Sequence, residues 1–322
     1  MTVELSNTIQ DRLTISQTDL NAGYEFRTYD HGAGTLSYIT SDSVNRHLRI
    51  DDVAVVEGEP YEIPERFVRY SQIMLEHQLG EVHKEAYANH RVVGISSDLA
   101  KDSESVRICL AEYYDMLATF YSFPYAYRND KTKAIEFNGA SFIYNDFGVV
   151  YPMSTNFGIN PIGANTIAVT KDDQLLIQRQ AEDARTNPGR LMPSGSGVAS
   201  WHDYAYDDGT FATTLQQIVV HGAEYKLVNE CALPADCPMT TRVMGMARVP
   251  TGLKPDFYCI TTLGMTADEL RTAGATPYEF LDAREGLSAS LMRYIAERNG
   301  EVPSSVALQL YLEARLLAEI CR

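Results

Sequence analysis

The sequence predicts an α/β (α+β) protein in two parts, an N-terminal mixed domain over residues 1–158 followed by a more regular α/β domain over residues 159–322. Three observations predict it. Turn-forming residues cluster at Asn156-Phe157-Gly158 and Asn160-Pro161, where the character of the chain changes. Just beyond them, two short β-type runs flank the turn Lys171-Asp172-Asp173. Farther on, residues 213–231 carry an apolar stripe at periods of three and four, the mark of a long helix. A chain of 322 residues is comfortable for two domains.

In chain order, residues 20–56 are rich in Thr, Ser, Asp and Gly and predict short strands and loops. Residues 64–89 predict a helix, with Pro64 in its first turn and Phe67, Tyr70, Ile73 and Met74 at helical spacing. A short strand follows at residues 92–96. Asp102-Ser103 can cap a second helix, with Val106, Cys109, Leu110, Tyr113, Met116 and Leu117 on one face. Residues 139–152 alternate weakly and predict strands. The aromatic-rich stretch from Tyr113-Tyr114 through residues 121–127 suits a core.

In the second domain, residues 166–169 and 175–178 predict a hairpin. The helix over residues 213–231 sets Leu215, Ile218, Val219, Gly222, Ala223 and Leu227 along one stripe, and Leu233-Pro234 ends it. Residues 288–297 predict another helix, stopped by Asn299-Gly300. Pro303 opens a last one carrying Val306, Leu308, Leu310, Leu312, Leu316, Leu317 and Ile320. Its apolar surface is expected to pack on the domain or on a second copy of the chain, a homo-oligomer through the C-terminal helices.

Composition narrows the function classes. Hydrophobic residues make up 45% and charged residues 22%, the balance of an ordinary soluble globular protein. No run of about 18 apolar residues exists, so no membrane span is expected. Residues 1–19 are polar and lack an apolar signal-peptide core, so the expected compartment is the cytoplasm. The five cysteines, Cys109, Cys231, Cys237, Cys259 and Cys321, form no C-x-x-C pair, and reduced thiols are expected. A net charge of −16 argues against a duplex nucleic-acid partner, which needs surplus Lys and Arg. It leaves room for a small anionic ligand, which a local nest of backbone N–H groups can hold.

Three features then stand in order: the hairpin ending in Ile177-Gln178-Arg179; the turn Pro193-Ser194-Gly195-Ser196-Gly197; and the helix ending in Tyr225-Lys226-Leu227-Val228-Asn229-Glu230-Cys231-Ala232-Leu233. This order resembles the Nudix family, which has a strand ending in Arg, a Pro-Gly-Gly-like turn, and a helix written R-E-U-x-E-E-x-G-U with U aliphatic. The resemblance covers about half the chain and implies a sandwich of a mixed sheet between helices. In that family three carboxylates on one helix face hold Mg²⁺, a hard cation that prefers oxygen ligands, and the metal handles a diphosphate and its attacking water.

Aligned from the end of the helix, Leu227, Glu230 and Leu233 match the pattern. Lys226 and Asn229 fall where two metal-binding Glu residues belong, and Tyr225 where the Arg belongs. A Lys ammonium at this place repels Mg²⁺. From Gly195 to Tyr225 the chain runs 30 residues, where the family pattern is roughly half as long. The excess includes Trp201, His202, Asp203, Tyr204, Tyr206, Asp207 and Asp208.

The resemblance therefore implies a Nudix fold with a degenerate metal site. The expected function is binding of a nucleotide or nucleoside-diphosphate derivative without efficient hydrolysis, with no resident cofactor. Arg179, Gly195, Gly197, Trp201, Lys226 and Asn229 are the expected ligand-binding residues. The alternative is an active Mg²⁺-dependent diphosphohydrolase, in which Glu230 is the catalytic and metal-binding residue, assisted by Asp203, Asp207 or Asp208. His221 is expected to be structural. Residues 1–158 carry no family resemblance.

Overall fold

The structure is a computed structural model that describes residues 2–5, 13–30, 35–81, 89–182, 188–249, 252–298, 310–312 and 315. The chain begins with β1 (Thr2–Leu5), β2 (Thr14–Ile15), α1 (Gln17–Asn21), β3 (Glu25–Asp30), β4 (Thr35–Thr40), α2 (Asp42–Ile50) and β5 (Ala54–Glu57). It continues through α3 (Glu65–Glu81), β6 (Arg91–Ile95), β7 (Ser105–Glu112), α4 (Tyr113–Ala118), β8 (Tyr125–Arg128), β9 (Ile135–Asn138) and β10 (Val149–Val150). The second half contributes β11 (Gly163–Val169), β12 (Gln174–Arg179), β13 (Leu191–Met192), β14 (Gly195–Val198) and α5 (Trp201–Tyr204). It ends with α6 (Leu215–Cys231), β15 (Met239–Arg248), β16 (Pro255–Leu263), α7 (Ala267–Thr272), β17 (Glu279–Asp282) and α8 (Leu287–Glu297). The protein is an α/β fold.

A nine-stranded mixed sheet is its centre, with the path β13-β12-β11-β16-β15-β4-β3; β14 joins β11 and β17 joins β12. The expected hairpin forms as β11 and β12, whose closest pairing is Ala168 with Leu176 and Val169 with Leu175. Asp173 supplies the left-handed residue in its turn, with φ 59°. Strands β11 and β16 run parallel, which requires a crossover, and α6 provides part of it. Alternate residues of β11 serve opposite faces. Ile167 and Val169 join Leu175, Ile177, Tyr258, Leu291, Tyr294 and Ile295 on the α8 side. On the other face, Ala164 packs with Ile218, Val219 and Ala223 of α6, and Ala168 and Leu176 pack with Leu227. The sheet thus lies between α6 and α8.

The expected helix over 213–231 begins at Leu215. Thr214 caps it by accepting from Gln217 N–H, while the Gln217 side chain accepts from the cap's own N–H. The helix expected from Pro303 falls largely outside the described residues, as does the Asn299-Gly300 stop expected after the helix over residues 288–297. Of that helix, Leu310 and Leu312 are buried against the α8 face.

The sheet does not end where the turn signals near residue 158 stand. Strands β3 and β4 form an antiparallel hairpin, and β4 pairs with β15 at Ile39–Arg248 and Thr40–Ala247. One core cluster contains both Tyr24 and Cys259. The long segment before α6 stitches the two halves together, because Val93 N–H donates to Ala199 O, Val55 N–H to Thr213 O and Leu215 N–H to Val53 O.

Three N-terminal expectations are corrected. The helix expected after Asp102-Ser103 is mostly strand β7, with only α4 helical. Strand β7 sits between β5 and β6 and satisfies hydrogen bonds along both edges, which outweighs a helical spacing of apolar residues. In the region 139–152, expected as strands, Gly139–Phe142 is a 3-10 turn and only Val149–Val150 is strand. Gly139 is pressed against the Ser122 carbonyl oxygen, which leaves no room for a Cβ. Helix α2 arises where only strands and loops were expected. Ser41 caps it, and it buries Val44 and Leu48.

No helix among the described residues is long and apolar enough to cross a membrane. Cys109, Cys231, Cys237 and Cys259 are buried free thiols.

Candidate functional site at the α6–β14 contact

Strands β11 and β12 diverge beyond their short pairing, and residues 191–198 fill the gap. Strand β13 pairs with β12, and β14 pairs with β11. Between them Ser194 acts as a splice: its Oγ donates to Leu176 O at 2.6 Å and accepts from Ala168 N–H at 2.6 Å. The glycines allow β14 to lie directly on α6. A Cβ on Gly195 would stand 2.6 Å from Leu227 N, and one on Gly197 would stand 2.6 Å from Lys226 Cε. The Pro-Ser-Gly-Ser-Gly turn is therefore a close-packing device between strand and helix, and the Ser196 N–H faces the helix side chain of Glu230.

Glu230 is half-buried at this contact, and its Oε2 accepts from Ser196 N–H at 3.3 Å. Burial pushes its carboxyl up from 4.5 to about 7, against the opposing pull of the Ser196 N–H and the Lys226 ammonium. Such a group holds or releases a proton near neutral pH. Lys226, one turn earlier, lays its aliphatic stem over Gly197 and its ammonium 5.4 Å from the Tyr225 ring centre. Asn229 turns away: it is exposed, and its Nδ2 donates to Tyr225 O of the same helix at 2.7 Å.

The end of α6 is tied to β12 by Gln178. Its Nε2 donates to Glu230 O, and its Oε1 accepts from Arg179 N–H at 3.0 Å and Tyr278 N–H at 3.2 Å. Arg179 donates to Gly189 O at 2.7 Å and to the Tyr278 hydroxyl at 2.8 Å, and lies over the Tyr278 ring. It braces the wall beside the contact. Gln178, Ser194, Ser196 and Tyr278 were not expected from the sequence. The triplet Pro193-Ser194-Gly195 hinted at a turn, but only the divergence of β11 from β12 gives Ser194 its two partners.

Near the middle of α6, at His221 and roughly 13 Å from Glu230 along the helix axis by helix rise, a second polar cluster stands apart. Asp203 is buried, with its Oδ1 3.0 Å from His221 Nδ1. Its Oδ2 accepts from Ser200 N–H at 2.7 Å and Ser200 Oγ at 3.0 Å. Burial alone would raise its carboxyl, but His221 and Ser200 outweigh burial and hold it below the usual range. The same bond raises His221. Asp203 is thus spoken for as a tether between α5 and α6, and His221 is its structural partner. Asp207 and Asp208 sit in an exposed turn beside this cluster. Trp201 packs edge-on against Tyr204 and Phe211 with Arg91 over its ring. The structure therefore brings together Gly195, Gly197, Lys226 and Glu230, with Arg179 nearby. It places Trp201 and the three aspartates in or beside the α5 cluster that meets α6 at His221, apart from Glu230. Among the described residues, no group of three or more His, Cys, Asp or Glu side chains is arranged to hold a metal ion.

Ala232 follows α6 with φ 48° and ψ 46°, a left-handed residue. Leu233 N–H closes back on Val228 O at 3.0 Å, and both side chains join the same apolar cluster. That backbone conformation suits glycine, and here it is carried by an alanine.

No family model matches the chain, and no curated protein matches it. Among solved structures, it is similar to DR0079 of Deinococcus radiodurans, with 17% identity and a TM-score of 0.29, over 52% of this chain and 94% of that one. It is also similar to a MutT protein of Methanosarcina mazei Go1, with 14% identity and a TM-score of 0.27, over 50% of this chain and 96% of that one.

Proposed function

We propose that the chain is a Nudix-like protein that binds a nucleotide or nucleoside-diphosphate derivative at the α6–β14 contact without efficient hydrolysis. The observation that carries the reading is the set of side chains on the α6 face toward β14. One carboxyl that is half-protonated near pH 7 stands beside one ammonium, and the neighbouring carboxamide is turned back onto its own helix. This donor set does not fit Mg²⁺, which takes oxygen ligands in octahedral order. It suits an anionic ligand, for which Lys226 supplies charge, the Gly195 and Gly197 backbone supplies close approach, and Glu230 in its neutral form supplies a donor. Arg179 shapes the adjoining wall, while Trp201 and Asn229 are left to packing and the helix surface. The strand–Arg–turn–helix order supports the helix register on which this reading depends.

The test is calorimetric titration with a panel of nucleoside-diphosphate derivatives, with and without Mg²⁺, alongside an assay of phosphate release. Binding without Mg²⁺-dependent release is expected. Robust turnover abolished by Glu230→Gln would replace this reading with a diphosphohydrolase. The double change Lys226→Glu with Asn229→Glu should raise Mn²⁺ affinity by restoring a carboxylate face with Glu230. Unchanged affinity would show that the helix register is wrong.

A further inference from the structure

The loop that leads into β17 lies across the C-terminal end of α6. Thr276 N–H donates to Cys231 O at 2.8 Å, and Ala275 and Phe280 join Val228 and Leu233 in one apolar cluster. Gln178 of β12 fastens this loop to the helix with a single carboxamide. Its Oε1 accepts from Tyr278 N–H at 3.2 Å, and its Nε2 donates to Glu230 O. The backbones of Tyr278 and Glu230 are therefore held within roughly 8 Å of each other, two hydrogen-bond lengths and the width of one carboxamide. Lys226, one turn earlier on the same helix, stands roughly 6 Å farther along its axis.

Tyr278 is 48% exposed, yet its ring is fixed. Arg179 lies over one face, with the guanidinium carbon 4.2 Å from the ring centre, and the same guanidinium donates to the ring hydroxyl at 2.8 Å. Arg179 is anchored in turn, since it donates to Gly189 O at 2.7 Å. Tyr278 is thus tied at its backbone by Gln178 and at its hydroxyl by Arg179. Among the described residues no other ring stacks on it. With one face taken by the guanidinium, the face that meets solvent is the opposite one. A tyrosine has only two side-chain torsions to order, and here both are settled before any ligand arrives, so a partner on the open face does not bear that entropy cost.

We infer that Tyr278 seats the base of the ligand: an aromatic base stacks on the ring face opposite Arg179 while the diphosphate reaches Lys226. The inference rests on the function proposed above and adds where the base is held. The spacing sets the ligand class. Tyr278 and Lys226 lie at two ends of a short path past Glu230, so a free phosphate occupies one end only, whereas a nucleoside diphosphate spans both. Every nucleobase presents a flat π-face, so stacking of this kind reads the presence of a base and not which base it is. The Arg179 guanidinium stays charged at any physiological pH and holds the platform in place throughout.

Calorimetric titration of the full chain with ADP, GDP, CDP and UDP, and with pyrophosphate as the base-free comparator, tests the inference. The nucleoside diphosphates should bind the wild type more tightly than pyrophosphate. Tyr278→Leu, which keeps an apolar side chain but removes the ring, should weaken nucleoside-diphosphate binding by about tenfold or more and leave pyrophosphate unaltered. Tyr278→Phe, which keeps the ring and loses only the hydroxyl, should retain most of the affinity. If Tyr278→Leu leaves nucleoside-diphosphate affinity intact while Lys226→Gln reduces it, the base seat is overturned and the function proposed for the α6–β14 contact stands. Equal weakening of pyrophosphate and nucleoside diphosphates by Tyr278→Leu would reduce Tyr278 to a structural part and overturn the seat as well. Absence of binding of every nucleoside diphosphate and of pyrophosphate to the wild type would overturn both the seat and that function.

Discussion

Replacing Glu230 by Gln should flatten the loss of stability at alkaline pH. The Glu230 carboxyl is raised from 4.5 to about 7, with burial as its largest cause. That difference corresponds to roughly 3 kcal/mol of preference for the neutral carboxyl in the fold. Because the folded value lies above the unfolded one, the associated stability is complete below 4.5 and is lost as pH rises through about 7. Glu230 is half-buried rather than enclosed, and solvent screening reduces the expected effect to about 2 kcal/mol. Gln keeps an oxygen to accept from Ser196 N–H and carries no charge at any pH. Urea unfolding of wild type and Glu230→Gln, followed from about pH 5 to about pH 8.5, should therefore show curves that diverge by about 2 kcal/mol, with the variant favoured at the alkaline end. Subtracting one protein from the other removes the contribution of other titrating groups. Parallel curves would refute the reasoning, because they would mean that ionised Glu230 is as comfortable in the fold as in water.

Further outcomes follow from the same region. Ala232→Gly relieves a left-handed residue at φ 48°, and after the entropy of the unfolded glycine is counted it should stabilise by about 0.5–1 kcal/mol; a loss of denaturation midpoint would contradict this. Gly195→Ala places a Cβ 2.6 Å from Leu227 N and should destabilise by more than about 2 kcal/mol. Gly80→Ala, with open space around it, should be neutral or stabilising by up to about 1 kcal/mol; equal losses in both would refute the close strand–helix contact. The Asp203–His221 bond raises His221 above 6.5 and lowers Asp203 below 3.8. The His221 contribution is complete below 6.5 and fades as pH rises through its raised value, and the Asp203 contribution is complete above 3.8 and fades as pH falls through its lowered value. Asp203→Asn should lower the His221 pKa in an NMR titration of the imidazole, and an unmoved titration would break the pairing.

Patterns with short range were legible in the sequence. The hairpin of β11 and β12 follows from two β-type runs around Asp172-Asp173, and α6 follows from apolar residues three and four apart with a Leu-Pro stop, because neither depends on distant partners. The residue types at Lys226 and Asn229 were equally plain, since they are identities at known positions on a helix. Elements whose stability comes from tertiary pairing were not legible. Strand β7 has a helix-like apolar spacing but lies between two other strands, and the β-ladder hydrogen bonds on both sides decide its state. The joining of β3 and β4 to the sheet likewise depends on edge pairing between residues some 200 positions apart. Tertiary structure alone decided which polar groups meet. It separated Trp201, Asp203, Asp207 and Asp208 from Glu230, although all seven of the residues from Trp201 to Glu230 named as site candidates lie within 30 positions of one another. A helix is a rigid rod, and about 1.5 Å of rise per residue sets Glu230 and His221, the partner of Asp203, roughly 13 Å apart along its axis. The same folding drew Arg27 of β3, Arg46 and Arg49 of α2, and Arg315 from near the end of the chain to one cavity rim. No spacing in the sequence marks them as a group, because their convergence is fixed only by where β4 leaves β15 and α2 closes the gap.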